Sequence, residues 1–442
     1  MKKLLPLFIS AAIGSLSFSA SADDLVEIYN LAKDNDPTLL SSAATRDAAF
    51  EAITSSRATL LPQINLTAGY NINRSNKDSR ESDALTAGVG LSQELYNRSS
   101  WITLDIAEKN ARAQDSIYAA NQQALILRVS QAYFEVLRAQ DNLVFVQAEK
   151  AAVGRQLEQT KQRFEVGLSA ITDVHDAQAQ FDAVLADEVL AENNLVNSYE
   201  ALREITGQEH ANLSVLDTDR FSASKSADSI NVLLQQAEEK NLSLLASRIS
   251  QDVARDNISL ANSGHLPSIT LDTGYNFGNE SNSNSPSVIG NAGDDYTSND
   301  FNIGVNLVVP LYTGGNITSQ SKQAEYAYVA ASQDLEATYR SVVKDVRAFN
   351  NNITASIGAL RAYEQSVISA QSALEATEAG FDVGTRTIVD VLDSTRRLYD
   401  ANRNLSDARY NYILSELQLR QAVGTLSEQD ILDVNAGLKP AS

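Results

Sequence analysis

The chain has 442 residues and a formal net charge of −21, from 56 acidic and 35 basic side chains. A nucleic-acid partner would require a basic face, so this charge argues against one. The sequence contains no cysteine, which excludes disulfides, thiol nucleophiles, thiolate metal sites and lipidated cysteines.

The first 22 residues are predicted to be a secretory signal peptide. Lys2 and Lys3 precede an apolar run that extends to Phe18, and a small-residue cleavage site ends at Ala22. No later run approaches the roughly 20 apolar residues that a membrane-spanning helix needs. The sequence therefore predicts an exported protein without a helical membrane anchor.

The remainder of the chain contains an internal tandem duplication. The stretch "LPQINLTAGYN" at 61–71 matches "LPSITLDTGYN" at 266–276. Likewise "FEVGLSAITDVHD", which begins at Phe164, is identical at seven of thirteen positions to "FDVGTRTIVDVLD", which begins at Phe381. A duplication of this kind decides the architecture, because both copies must fold in the same way.

Each repeat is predicted to contain a helical segment, a β-hairpin, a very long helix, a tight glycine turn and a second helix. The predicted units are a first repeat at 23–208 with its hairpin at 63–93, a linker at 209–227, a second repeat at 228–426 with its hairpin at 268–309, and a tail at 427–442. The long helices are predicted at 98–165 and 316–381, and the turns at Gly167 and Gly384. Polar loops at 74–83 and 279–300 join the strands of the two hairpins.

The predicted strands alternate strictly between apolar and polar residues. Ile64, Leu66 and Tyr70, for example, are separated by Asn65, Gly69 and other small or polar residues. This period of two gives one apolar and one polar face, over a length that crosses a bilayer when tilted. A soluble sandwich would show the same alternation, and the strands alone leave both readings open. Export of the chain favours a membrane barrel.

Four strands are too few to close a barrel, and an open edge in lipid leaves backbone groups unpaired. Several chains must therefore share one barrel. Two chains give eight strands, whose interior side chains tend to fill, whereas three give twelve with room for water.

The long helices carry an apolar ladder, from Leu335 to Leu374, of 11 steps over 39 residues. The mean spacing of about 3.55 residues lies between the period of a straight helix, about 3.6, and that of a coiled coil, about 3.5. Helices of roughly 100 Å must lie against other helices, because a single globular core does not bury that length. The helices alone would also fit a fibrous coiled coil, but the strands do not.

The duplicated plan, together with "RFEVGLSAITDV" and "GFDVGTRTIVDVLD", resembles the TolC family of outer-membrane efflux proteins from about Asp24 to Leu438. The resemblance implies an α+β fold, a membrane β-barrel plus an α-helical barrel. It implies a homotrimer with four strands and long helical hairpins per chain. The barrel would lie in outer-membrane lipid and the helices in the periplasm, with 209–227 and 427–442 in an equatorial belt.

The implied function is that of a passive exit duct in tripartite efflux or type I secretion systems. The implied partners are a periplasmic adaptor protein and an inner-membrane efflux pump or ABC exporter. No cofactor is implied. Gly167 and Gly384 would form the turns of two helical hairpins at the periplasmic end, where the six tips of three chains could close.

Asp390 and Asp393 are spaced i, i+3 and so share one helix face. On the residues alone, a solvated acidic face explains them equally well. The resemblance implies that they line the periplasmic constriction, where six crowded carboxylates would raise each other's pKa and attract cations.

The resemblance also implies a latch. Arg386 matches an arginine that ties the inner hairpin to the neighbouring outer hairpin through residues matching Thr172 and Asp173; the alternative is a surface arginine with no measurable contribution. Phe381 stands where the family pattern has a tyrosine whose hydroxyl bonds the aspartate matching Asp173. One closing hydrogen bond is therefore expected to be missing.

No enzyme signature is recognisable, and the chain is predicted not to be an enzyme. There is no phosphate-binding loop motif, and His175, His210 and His265 lack metal-ligand spacing. Two other classes are alternatives: a trimeric adhesin or tether anchored in the outer membrane, and an outer-membrane hydrolase. Two hairpins in equal halves argue against the adhesin, and the missing catalytic residues argue against the hydrolase.

Overall fold

The computed structural model describes residues 23–74, 82–225, 228–282 and 296–440. The predicted signal peptide, 1–22, lies outside the described residues. So do 75–81 and 283–295, which form most of the two predicted polar loops.

The described residues form nine α-helices and six strands. The first half contains α1 Leu25–Asn35, α2 Pro37–Ala58, β1 Gln63–Asn73, β2 Ser82–Asn97, α3 Arg98–Glu165 and α4 Ile171–Thr206. The short strand β3, Val215–Leu216, follows. The second half contains α5 Ile230–Lys240, α6 Leu242–Ser263, β4 Ser268–Asn282, β5 Tyr296–Val308, α7 Asn316–Asp382 and α8 Ile388–Val423, and it ends with α9 Glu428–Asn435 and β6 Leu438–Lys439.

The first helical segment of each half is divided into two helices by a capping residue. Asp36 caps α2 by accepting a hydrogen bond from the backbone N–H of Leu39 at 2.7 Å, and Pro37 begins the helix. Asn241 caps α6 in the same way, accepting from the N–H of Leu244 at 2.9 Å. A capping oxygen favours the start of a new helix, and in α2 proline at the first position favours it further.

The two longest helices, α3 with 68 residues and α7 with 67, each extend for roughly 100 Å. Their buried residues contact neighbouring helices in two successive core clusters. Among the helices of the described residues, none is both long and apolar enough to cross a membrane.

The four long strands form one antiparallel sheet in the order β1-β2-β4-β5. The strand register places apolar residues side by side in a row across all four strands: Leu66, Val89, Tyr275 and Phe301. The next row along the strands faces the opposite side: Thr67, Gly88, Asn276 and Asp300. The sheet therefore has one apolar and one polar face, and the apolar row is exposed in a single chain.

The helices repeat the order of the strands to which they are joined. In the half of the molecule next to the sheet, the helices pack in the order α2, α3, α6 and α7. In the half that contains the hairpin turns, they pack in the order α4, α3, α8 and α7. One side of the molecule is thus formed by β1, α2 and α4, and the other by β5 and α7.

A belt of short elements lies beside the middle of the long helices. Strands β3 and β6 pair antiparallel, which joins the linker to the tail. Asp23 forms a parallel bridge with Leu213. The buried Tyr133 of α3 donates a hydrogen bond from its hydroxyl to the Ser214 carbonyl oxygen at 2.6 Å, so the belt is fixed to the long helix.

Candidate functional site: the hairpin turns

Both helical hairpins turn by the same backbone device. After α3, Gly167 adopts φ 77°, and after α7, Gly384 adopts φ 79°. A Cβ at either glycine would meet nothing within 4 Å, so the backbone conformation, and not space, requires glycine. The N–H of Leu168 donates to the Arg163 carbonyl and the N–H of Thr385 to the Gly380 carbonyl, both at 2.8 Å. These bonds satisfy the last carbonyls of each helix.

Asp390 acts first as a helix-capping residue. Its carboxylate accepts hydrogen bonds from the backbone N–H and the hydroxyl of Thr387, both at 2.9 Å, and its own N–H donates to the Thr387 hydroxyl at 3.3 Å. This reciprocal box begins α8. The backbone bond from Thr387, then its hydroxyl bond and the charge of Arg386, lower the pKa of Asp390 below its ordinary value.

Asp173 has the matching role at the start of α4. Ala170 stands where a capping side chain would be, so only the carboxylate half of the box is present. Asp173 accepts from the Ala170 N–H at 3.2 Å and from the Ser169 hydroxyl at 2.7 Å. Thr172 lies beside it in the first turn of α4. The duplicated Asp therefore has a local structural reason in both repeats.

Asp393 is paired within its own helix, a feature that the sequence analysis missed. Its two oxygens lie 2.8 Å from a guanidinium nitrogen of Arg396 and 2.7 Å from one of Arg397. The i, i+3 and i, i+4 spacings in "DSTRR" carried that signal. Asp390 and Asp393 line one open groove together with Asp176 of α4. The structure therefore brings the two carboxylates to one groove, and one of them is paired with two arginines.

Arg386 lies across the last turn of α7. Its N–H donates to the Gly380 carbonyl at 3.2 Å, and a Cβ at Gly380 would lie only 2.8 Å from its Cγ. Gly380 thus provides the space for the arginine stem. Within the described part of one chain, Arg386 makes no hydrogen bond or ion pair with Thr172 or Asp173. The expected latch joins neighbouring copies, and it stays a prediction.

Phe381 contacts an arginine that the sequence analysis did not single out. The guanidinium carbon of Arg163, on α3, lies 4.6 Å from the centroid of the Phe381 ring. Phe381 also packs against the core cluster between the two hairpins. Arg163 precedes Phe381 by more than two hundred residues, and no local pattern signals the contact.

Among the residues that the structure describes, no group of three or more His, Asp or Glu side chains is placed to hold a metal ion. His210 instead bonds the Asp23 carboxylate at 2.8 Å and the Thr206 hydroxyl at 2.9 Å, which ties it to the belt.

Comparison with known proteins connects this geometry to a family. The model of the family described as "Outer membrane efflux protein" matches residues 28–208 and 233–425. The chain is 77% identical to the outer membrane protein TolC of Vibrio cholerae, with full coverage of both chains. It is 47% identical to the TolC of Escherichia coli K12, covering 100% of this chain and 90% of that protein.

The solved outer membrane channel CmeC of Campylobacter jejuni has the same fold. The TM-score is 0.77 at 17% identity, with 99% of this chain and 98% of that chain covered. The chain therefore belongs to the outer membrane efflux protein family, the exit ducts of the Gram-negative outer membrane.

Proposed function

We propose that three copies of the chain close into one continuous tube, a passive exit duct for efflux and type I secretion, gated at its periplasmic end. One observation supports the proposal: the sheet and both sets of helices each have two unpaired edges, and these edges lie on the same two sides of the molecule.

The strand directions allow the edges to join. Successive strands in the order β1-β2-β4-β5 are antiparallel, so β5 of one copy meets β1 of the next copy antiparallel as well. Unpaired edges are not tolerated in lipid, and pairing between copies removes them. A head-to-tail contact of this kind generates a ring when its rotation closes.

The helices at these edges expose apolar side chains that a neighbouring copy would bury. On α4 these are Leu185, Val189, Leu190 and Val196, and on α7 they are Tyr326, Val329 and Ile368. Burial of such area contributes roughly 25 cal/mol per Å². Three copies give the smallest barrel of this series that leaves a water-filled interior.

The same duct requires partners, because the chain has no recognisable energy source of its own. We propose a periplasmic adaptor that docks along the hairpins and an inner-membrane efflux pump or ABC exporter that drives transport. The matches to outer membrane efflux proteins lend no support to an adhesin or tether.

Assembly is testable because the sequence contains no cysteine, so introduced cysteines supply all of its thiols. We expect multi-angle light scattering of the detergent-purified protein to give three copies, and we expect one cysteine in β1 and one in β5 to cross-link between copies. A monomeric particle, or cross-links only within one chain, would contradict the proposal.

The latch is tested by Arg386→Ser. Loss of a charge-assisted bond of roughly 1.5–3 kcal/mol should leave the tips partly open and raise single-channel conductance in planar bilayers. Arg340→Ser is the matched control, since the ion pair of Arg340 in the described part of the chain, with Glu336, lies within its own helix. Unchanged conductance in Arg386→Ser would count against the latch.

The carboxylate ring is tested by Asp390→Ala combined with Asp393→Ala. We expect block of the channel by multivalent cations from the periplasmic side to disappear. Because Arg396 and Arg397 already pair with Asp393, Asp390→Ala alone should remove most of the block. Block retained in the double variant would refute the ring.

A further inference from the structure

We propose that Arg163 is a positioning residue of the gate, which clasps the outer hairpin to the inner hairpin within one chain by holding Phe381 and Asp382. The outer hairpin is α3–α4 and the inner hairpin is α7–α8. The clasp rests on the proposed gate, and it differs from the Arg386 latch because it does not involve a second copy.

The guanidinium of Arg163 reaches two neighbouring residues of α7. Its central carbon lies over the ring of Phe381 at 4.6 Å, and one terminal nitrogen lies 3.9 Å from a carboxylate oxygen of Asp382. Gln159, one turn earlier on α3, donates from its amide to the same oxygen at 3.5 Å. Four side chains, two from each hairpin, therefore converge near the turns.

Burial indicates which contact dominates. The Arg163 side chain is 25% exposed, whereas that of Asp382 is 65% exposed. An ion pair with an exposed partner near 4 Å contributes little in water. A guanidinium over an aromatic face is attracted by the ring quadrupole, and more strongly when partly desolvated. The Nε of Arg163 is buried and has no hydrogen-bond partner within the described residues, so the stem is held by packing.

Both partners of the clasp are fixed on their own hairpins. Arg163 lies in the last turn of α3, and Phe381 is the penultimate residue of α7 and packs on the core cluster between the hairpins. The two hairpin ends cannot separate without breaking the contact. Phe381 thus serves closure through its ring face, where a tyrosine would be expected to serve it through a hydroxyl.

A simpler explanation is that Arg163 only complements the dipole at the end of α3. That explanation predicts that a change at Phe381 acts independently of Arg163, and that any cation at position 163 is equivalent. The clasp predicts instead that Arg163→Ala and Phe381→Leu have similar effects that do not add, because both remove one contact.

The experiment uses the full-length assembly in planar bilayers. For Arg163→Ala we expect the ratio of high- to low-conductance time to rise about five-fold, equivalent to about 1 kcal/mol at 1.4 kcal/mol per factor of ten. Phe381→Leu should raise the ratio by the same factor, and Arg163→Lys should give a ratio between those of the wild type and Arg163→Ala. The double variant Arg163→Ala, Phe381→Leu should give the same ratio as either single variant. Lys161→Ala removes a neighbouring positive charge on α3 and should leave the ratio unchanged.

A distance measurement gives a second readout that needs no conduction. Spin labels on Gln162→Cys and Glu378→Cys, both exposed positions, report the separation of α3 and α7. Arg163→Ala should shift the distribution to longer distances, and Lys161→Ala should not. Three results would overturn the clasp. Arg163→Ala could leave both the distances and the conductance ratio unchanged, its effect could add to that of Phe381→Leu, or Lys161→Ala could have an equal effect. A wild-type protein that forms no channel would refute the duct and leave the distance test to decide the clasp.

Discussion

Two glycines at equivalent positions of the repeats should respond differently to alanine. Gly207 ends α4 with φ 72° and Gly424 ends α8 with φ 82°, so both adopt the left-handed conformation. An added Cβ at Gly207 would meet only the Asn35 Cβ at 3.8 Å, an ordinary contact. At Gly424 it would lie 2.4 Å from the Lys240 carbonyl oxygen and 2.8 Å from the Asn241 Cα.

The magnitude follows from separating backbone strain from steric overlap. Alanine in the left-handed region costs roughly 1–2 kcal/mol at either site. Gly424→Ala adds overpacking of about 1–3 kcal/mol, because the atoms it meets belong to the backbone and cannot rotate away. The junction of α5 and α6 must then move. We therefore expect Gly424→Ala to destabilise the protein about twice as much as Gly207→Ala.

The assay is thermal unfolding of the purified protein in detergent, followed by circular dichroism at one fixed scan rate. A fixed rate is needed because unfolding of a large membrane assembly is commonly irreversible. Gly207→Ala serves as the matched control for backbone strain. Equal decreases in Tm for the two variants would refute the steric argument.

Two further predictions concern buried polar groups. Tyr133→Phe removes the hydroxyl that donates to the Ser214 carbonyl, so it should destabilise the protein by about 1–3 kcal/mol. The measurement is guanidinium unfolding, where we expect a lower midpoint with an unchanged slope. An unchanged midpoint would show that this hydrogen bond does not stabilise the belt. Burial raises the pKa of Glu149, although Arg403 opposes the rise. A raised pKa gives stability that is present below the unfolded value of about 4.3 and is lost as pH rises through the folded value. Glu149→Gln should therefore flatten the decrease in Tm between acidic and neutral pH, and an unaltered pH profile would contradict this assignment.

The α+β class could be predicted from the sequence because two periods are written there clearly. Apolar residues recur at every second position along β1, which indicates a strand, and about every 3.6 positions along α7, which indicates a helix. On the α7 ladder, Val346 and Ile353 are buried as the period requires, but Tyr339 is 38% exposed. The ladder therefore predicts the helix, but it does not predict which of its apolar residues stay exposed in a single chain.

The contacts that define the site were less accessible to sequence reasoning. The pairing of Asp393 with Arg396 and Arg397 could be predicted from their helical spacings, but the constriction role of the carboxylates has no local pattern of its own. The contact between Arg163 and Phe381 joins the ends of α3 and α7, whose proximity depends on the packing of α8 against both helices. Tertiary proximity of this kind has no local period, so it could not be predicted from a single sequence.

The belt also constrains how the protein is made. The side-chain oxygen of Asn435 accepts from the Leu25 N–H at 3.1 Å, and β6 supplies the partner of β3. Residues near the beginning, the middle and the end of the chain are therefore held by one another. A chain that lacks its last residues lacks this closure, so we expect the proposed assembly of copies to begin only after the whole chain has been synthesised.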